Sequence, residues 1–290
     1  QIMLISAPLT MGRKIGKDSA FMSDLVCWLM VCGIIGARLA HVFANFGGYM
    51  HNPVSILFIH KGGLIFYGGF VGGAVGIILF AWRRGEPLLR LFDIPLVATP
   101  LCHAFVRVGC FLHGCCFGKV TGSILGVRYP LDSGVGLSQW RERILTDPGV
   151  GELMSRFDRS QSSGGQFQQA LSDMVQRGQI DSNAAASIPV HPVQLYEAGL
   201  NVLLYIGLMW YFRRRRRDGE MSALYLLTYP AIRFMMEFLR GDGDPKSMVR
   251  VGSGFSLTVA QVLSLLLIAG GIAGMVWLRH RERIDTPRNA

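Results

Sequence analysis

Long apolar runs, separated by short and mostly basic polar blocks, set the pattern of this chain. The runs at about 24–39, 64–82, 93–113, 194–212, 221–239 and 257–277 approach or reach the roughly 20 residues that a helix needs to cross a hydrocarbon layer about 30 Å thick. Each is read as a full membrane helix. The apolar stub QIMLISAPLTMG at 1–12 reads as the end of a further helix preceding them. The expected architecture is an all-α polytopic membrane protein, with six full transmembrane helices plus a truncated first one, in a single domain spanning 1–290.

The polar blocks sort the helices by side. Arg13, Lys14 and Lys17 precede the first full run, and Arg83, Arg84 and Arg90 lie between the second and third. RRRRR at 213–217 separates the fourth and fifth, and Arg279, Arg281, Arg283 and Arg288 follow the last. About half of the 29 Lys and Arg residues sit in these blocks, and all fall on one side if every run crosses. The positive-inside rule makes that side cytoplasmic. The C-terminus is then cytoplasmic, and the net charge of +10 reads as solvated flanks that set topology, with no nucleic-acid partner.

The opposite face receives the segments at about 40–63, 114–192 and 240–256. Within the second, 130–188 reads as an extracytoplasmic insert, a periplasmic arm around one short helix at 165–177, too poor in apolar residues for a second core. Half of the residues are apolar and only 17% are charged, a composition that suits a membrane bundle and not a soluble globule.

Membrane burial does not explain a set of polar residues inside these runs. Arg107 lies in the third and Arg233 in the fifth. A bare arginine in hydrocarbon costs between about 2.5 and 10 kcal/mol or more depending on the scale, so each must face protein, water or an anionic headgroup. Arg233 can pair with Glu237 one turn on, whereas Arg107 has no acid within a turn or two on its own helix. His103, four residues before Arg107, projects to nearly the same side and is either a packing histidine or a cavity group. In KGGLIFYGGFVGGAVG, small residues permit close helix approach, the expected role of Gly72 and Gly76. The doublets around Tyr67, including Gly68 and Gly69, also break the run near its outer end, where backbone N–H groups and a hydroxyl can meet a polar ligand. HPVQLYE begins the fourth run with His191, Gln194, Tyr196 and Glu197, suited to interhelical hydrogen bonds, and the fifth ends at Arg240, Asp242 and Asp244. These groups cluster in the outer half of the membrane, which implies a cavity open to the headgroup layer there.

Of six cysteines, Cys27 and Cys32 read as small buried hydrophobes. Cys110, His113, Cys115 and Cys116 form C-x-x-H-x-C-C, a spacing open to packing, a disulfide or a thiophilic metal. Four donors in seven residues would need a turn, and no second half-site is evident, so neither a metal nor a cofactor is expected.

Five pieces, GARLAHVF, GGLIFYGGFVGG, VRVGCFLHGCCFGK, HPVQLYE and YPAIRFMMEFLR, in this order and spacing, resemble the bacterial prolipoprotein diacylglyceryl transferases, in a variant with GCC in its signature. The resemblance implies seven spans in the bacterial inner membrane and an active site on its extracytoplasmic side. It implies transfer of the sn-1,2-diacylglyceryl group of phosphatidylglycerol to the lipobox cysteine of secreted preprolipoproteins, forming a thioether and releasing glycerol 1-phosphate, by a monomer. Arg107 and Arg233 match the family's essential arginines, Gly109 and Gly118 its signature glycines, and Tyr229, Glu237 and Arg240 the rest of the second arginine's motif. Cys110 and His113 stand where the family has asparagines, Cys115 where it has an acid, and Tyr67 where it often has histidine. The two arginines would flank the lipid phosphate, and His103, then His113, then Tyr67 are the candidates for assisting the thiol's deprotonation. Two rival classes remain, a lipid-binding scaffold without catalysis and a transporter, although the polar groups thin out towards the cytoplasmic side.

Overall fold

A computed structural model of the chain describes residues 16–50, 53–58, 62–130, 133–136, 139, 173, 176–177, 186–241, 248–251 and 255–280. The described residues form α1 (Ser19–Ala44), α2 (Phe46–Met50), a 3-10 turn (Pro53–Leu57), α3 (Phe66–Arg84) and α4 (Leu88–His113). After the insert come α5 (Val193–Phe212), α6 (Glu220–Glu237), the antiparallel pair β1 (Met248–Val251) and β2 (Phe255–Thr258), and α7 (Val259–Arg279). Each of the six apolar runs is a helix. The stub at 1–12 and the body of the insert, including most of 165–177, lie outside the described residues.

Four of the helices, α1, α4, α5 and α7, are long and apolar enough to cross a membrane. Helices α3 and α6 are not among these four; α6 carries Glu220, Arg233 and Glu237. Large apolar side chains such as Phe43, Trp82, Leu112, Leu203 and Leu266 are exposed, as a lipid-facing surface requires. Cys27 is exposed too, which corrects the expectation that it is buried: it lines an open hollow with Asp24, Trp28, Arg83 and Arg84, near the start of α1.

Local chemistry sets the helix ends. Asp18 caps α1 by accepting the Phe21 N–H at 2.8 Å, and Gly85, at φ +65°, terminates α3 in the left-handed conformation that glycine adopts without steric cost.

The described residues divide into two compact units. One comprises those up to Pro100, Tyr205–Leu226 and those from Gly270. Here α1 packs on α3 through glycine. A Cβ at Gly36 would lie 2.4 Å from the Gly68 carbonyl oxygen, and one at Gly72 2.4 Å from that of Cys32. Gly76 meets the Cys32 side chain, and its carbonyl accepts from Trp28 Nε1 at 2.9 Å. Gly68 and Gly69, expected beside a ligand, also face α1: a Cβ at Gly68 would be 2.3 Å from that of Ala40, and one at Gly69 3.4 Å from the Gly33 oxygen.

In the same unit Asp93, with no exposure, accepts from the backbone N–H groups of Gly219 and Ser222, the Ser222 hydroxyl and Arg215, at 2.8 to 3.1 Å. Arg215 is 9% exposed in its side chain, and Arg90 pairs with Asp218. The 213–217 block is therefore not a uniformly solvated flank, because one of its members neutralises a buried carboxylate.

The other unit comprises Leu101–Leu204 and Leu227–Ala269. Its centre is a backbone crossing. Gly118 donates to the His191 oxygen at 3.0 Å, His191 to Lys119, Lys119 to Leu239 and Gly241 to Phe117. A Cβ on Gly118 would lie 2.6 Å from the His191 oxygen, so glycine is required for this close approach. The crossing joins three segments far apart in sequence: the end of the GCC motif, the start of HPVQLYE and the end of α6. A small core of Phe117, Tyr129, Val135 and Val190 packs beneath it. Ser187 N–H donates to the Tyr129 carbonyl at 2.7 Å and Ser187 Oγ accepts from the Tyr129 N–H at 2.8 Å, closing the base of the insert.

Candidate active site

Within the second unit, the residues singled out for lipid phosphate meet at one carboxylate. Arg107, on α4, pairs through Nε with Glu197 Oε2 on α5. Arg233, on α6, lies with Nη1 3.7 Å from Glu197 Oε1 and 2.6 Å from Glu237 Oε2. The i,i+4 pair expected on α6 is formed, and the acid that α4 does not offer within reach of Arg107 comes from α5. The side chains of Arg107, Arg233, Glu197 and Glu237 are 13%, 18%, 5% and 10% exposed, so the cluster is shielded but not sealed. Two guanidiniums face two carboxylates, which leaves it formally neutral, the condition under which ions tolerate a low-dielectric site.

His103 lies in the electrostatic field of both arginines. Its ring stands 5.0 Å from that of Tyr229, tilted by 32°. Tyr229 therefore supports His103 from α6, a contact that spacing along one helix could not reveal. His113 ends α4 and is exposed; six residues beyond Arg107, it is about 9 Å further along the axis and turned well away. Tyr67 belongs to the first unit, in the opening turn of α3, and is 72% exposed.

The remaining candidates divide into supports and an open position. Gln194, with no exposure, donates through Nε2 to the Cys115 oxygen at 2.7 Å and so holds the chain where it leaves α4. Tyr196 and His191 approach through the hydroxyl and Nδ1 at 3.5 Å. Arg240 and Gly118 are backbone partners in the crossing, where the close approach requires glycine at 118. Gly109 differs: a Cβ there would meet nothing within 4 Å, leaving room beside Arg107's turn.

The turn after α4 carries the cysteines. Gly114 and Cys116 have φ of +70° and +58°, and Cys116 is the one non-glycine residue with positive φ among those described. All six cysteines are free, and the sulfurs of Cys110, Cys115 and Cys116 lie within 4.8 Å of one another. Burial, with the Cys116 and Cys110 thiols beside it, pushes the Cys115 thiol up to about 12. Burial also raises Tyr129, whose hydroxyl faces Gln194.

One arginine was overlooked at the level of sequence. Arg38, on α1 and 6% exposed, donates to the carbonyls of Ser55, Ile56, Gly62 and Gly63 at 2.6 to 3.0 Å. Beside it opens a cavity of about 430 Å³ lined also by His41, Asn45 and Tyr49. Arg38 thus fixes the segment leading into α3 and Tyr67. The signal was present, since a lone arginine in an apolar run poses for Arg38 the question it poses for Arg107.

Known proteins resemble this chain over most of its length. The family model described as prolipoprotein diacylglyceryl transferase matches residues 2–277. A phosphatidylglycerol--prolipoprotein diacylglyceryl transferase of Burkholderia multivorans is 30% identical over 272 residues, covering 92% of this chain and 82% of that protein. Enzymes of the same printed name from Clostridium perfringens (numbered 2 there) and Clostridium tetani are 25% and 27% identical, each over 90% of this chain and 79% and 82% of their own lengths. With both intramembrane arginines brought to one carboxylate and the match running through all six long helices, the chain belongs to the prolipoprotein diacylglyceryl transferase family.

Proposed function

We propose that this protein transfers the diacylglyceryl group of phosphatidylglycerol to the lipobox cysteine of preprolipoproteins, at the extracytoplasmic side of a bacterial inner membrane, as a monomer whose six long helices all cross. The convergence of Arg107 and Arg233 on Glu197 carries this reading. Each guanidinium offers five N–H donors, and Glu197 engages one edge of each, so both keep donors to share a phosphate.

In the reaction, the thiolate sulfur forms a bond to glycerol C3 while the C3–O bond breaks. Its electron pair leaves on the phosphate of glycerol 1-phosphate. Arg107 and Arg233 stabilise the charge that develops there, where preorganised donors act most strongly because water is excluded. Glu197 and Glu237 hold the guanidiniums in place before the lipid arrives. The same positive field favours the thiolate over the thiol. His103, placed by Tyr229 beside both arginines, is the first candidate to accept the proton, ahead of the exposed His113. Gly109 leaves space for the lipid backbone.

The test is direct. Purified protein in phosphatidylglycerol vesicles is given a lipobox peptide, and the peptide should gain the mass of one diacylglyceryl group as glycerol phosphate appears. Lipid binding with an unchanged peptide mass would instead identify a scaffold.

A further inference from the structure

We propose that Cys110, Cys115 and Cys116 form a three-thiolate site for a soft, thiophilic cation of the zinc(II) or copper(I) class. No metal is expected from the sequence, because the donors are packed into seven residues and need a turn to converge. The structure supplies that turn. Left-handed conformations at Gly114 and Cys116 fold the chain back on α4, and all three sulfurs come within 4.8 Å of one another. An ion bound at about 2.3 Å to three sulfurs needs them about 4 Å apart, which small side-chain rotations provide.

Three features separate this cluster from ordinary packing. Its sulfurs belong to half-buried residues and not to core ones, so an ion can reach them. The left-handed Cys116 is costly for a residue with a Cβ, a kind of strain that collects at ligand clamps. The turn is also held by groups other than sulfur: Cys115 N–H donates to the Cys110 oxygen at 3.1 Å, Val135 N–H to Gly114 at 3.0 Å, and Gln194 to Cys115 at 2.7 Å. The thiols are thus presented together by a preformed scaffold. His113, the fourth donor in the sequence spacing, is not in the group and is exposed, which leaves a trigonal set of the softest ligand type. An ion there would lock the turn to Cys110, three residues after Arg107 on the same helix.

The experiment uses the full-length protein, purified in detergent with reductant and stripped of metal, and does not depend on the transfer reaction. Zinc(II) is added, and bound metal is counted after desalting. One ion per chain is expected, with X-ray absorption showing three sulfurs at about 2.3 Å. Binding should be lost in Cys110→Ser, Cys115→Ser and Cys116→Ser, and retained when Cys27, Cys32 and Cys102 are all changed to Ser. Because a Ser variant can fail to fold, thiol alkylation of the unaltered protein gives a second readout, and zinc should protect these three cysteines. The proposal is overturned by stoichiometry well below one, by alkylation indifferent to zinc, or by a disulfide among the three in protein purified without reductant.

Discussion

Two clusters of buried charge in this protein use the same residue types to opposite ends. Asp93 is fully enclosed and accepts from two backbone N–H groups, a hydroxyl and Arg215. Its bonding capacity is filled, so it ties α4 to the turn before α6 and has nothing left to offer a ligand. Glu197 is nearly as buried, yet its partners are two arginines whose remaining donors are not taken up by it. Buried charge marks function when hydrogen-bonding capacity is left over, and marks architecture when it is used up.

That contrast can be broken by substitution. The largest effect is expected at the filled cluster. Asp93→Ala strands Arg215 and two backbone donors and should lower stability by about 3–5 kcal/mol, seen as a fall in thermal unfolding temperature in detergent, while the folded fraction keeps its specific activity. At the open cluster the loss should move from stability to rate. Arg107→Lys or Arg233→Lys removes the planar fork and should slow transfer about a hundredfold, roughly 3 kcal/mol, with little change in unfolding temperature. If Arg107→Lys instead unfolds the protein at unchanged specific activity, the two clusters are the same kind of object.

Smaller changes sharpen the picture. Gly118→Ala places a methyl 2.6 Å from the His191 oxygen and should cost about 1–3 kcal/mol of stability, whereas Gly109→Ala, facing open space, should leave stability within about 0.5 kcal/mol. A drop in activity for Gly109→Ala alone would assign its open side to substrate. Glu197→Gln keeps the shape of the bridge but leaves the cluster with net positive charge. It should tighten phosphatidylglycerol binding, read as a lower KM, and reduce kcat about tenfold, the size of one charged hydrogen bond.

Much of this was legible in one dimension. The six apolar runs became six helices because apolar length is a local property, and membrane burial leaves a chain few alternatives to helix. Arg107, Arg233 and Glu237 stood out because an ionised group in an apolar run demands an explanation wherever it occurs. The i,i+4 pair was readable since one helix supplies both members. Gly72 and Gly76 pack against α1 as their spacing predicts; that Gly68 and Gly69 face α1 as well was not legible, because which face of α3 meets α1 is not written in the spacing.

What escaped the sequence is of one kind. Glu197 between the arginines, Tyr229 against His103, the Gly118 crossing and the carbonyl cage of Arg38 each join segments distant in the chain. The sequence by itself determined the elements and which residues could not be left alone in lipid, since those follow from composition over some twenty residues. Only the tertiary structure decided which partner each received, because pairing depends on which helices lie side by side and at what depth. Residues 107, 197 and 233 can share one carboxylate only after three helices have packed.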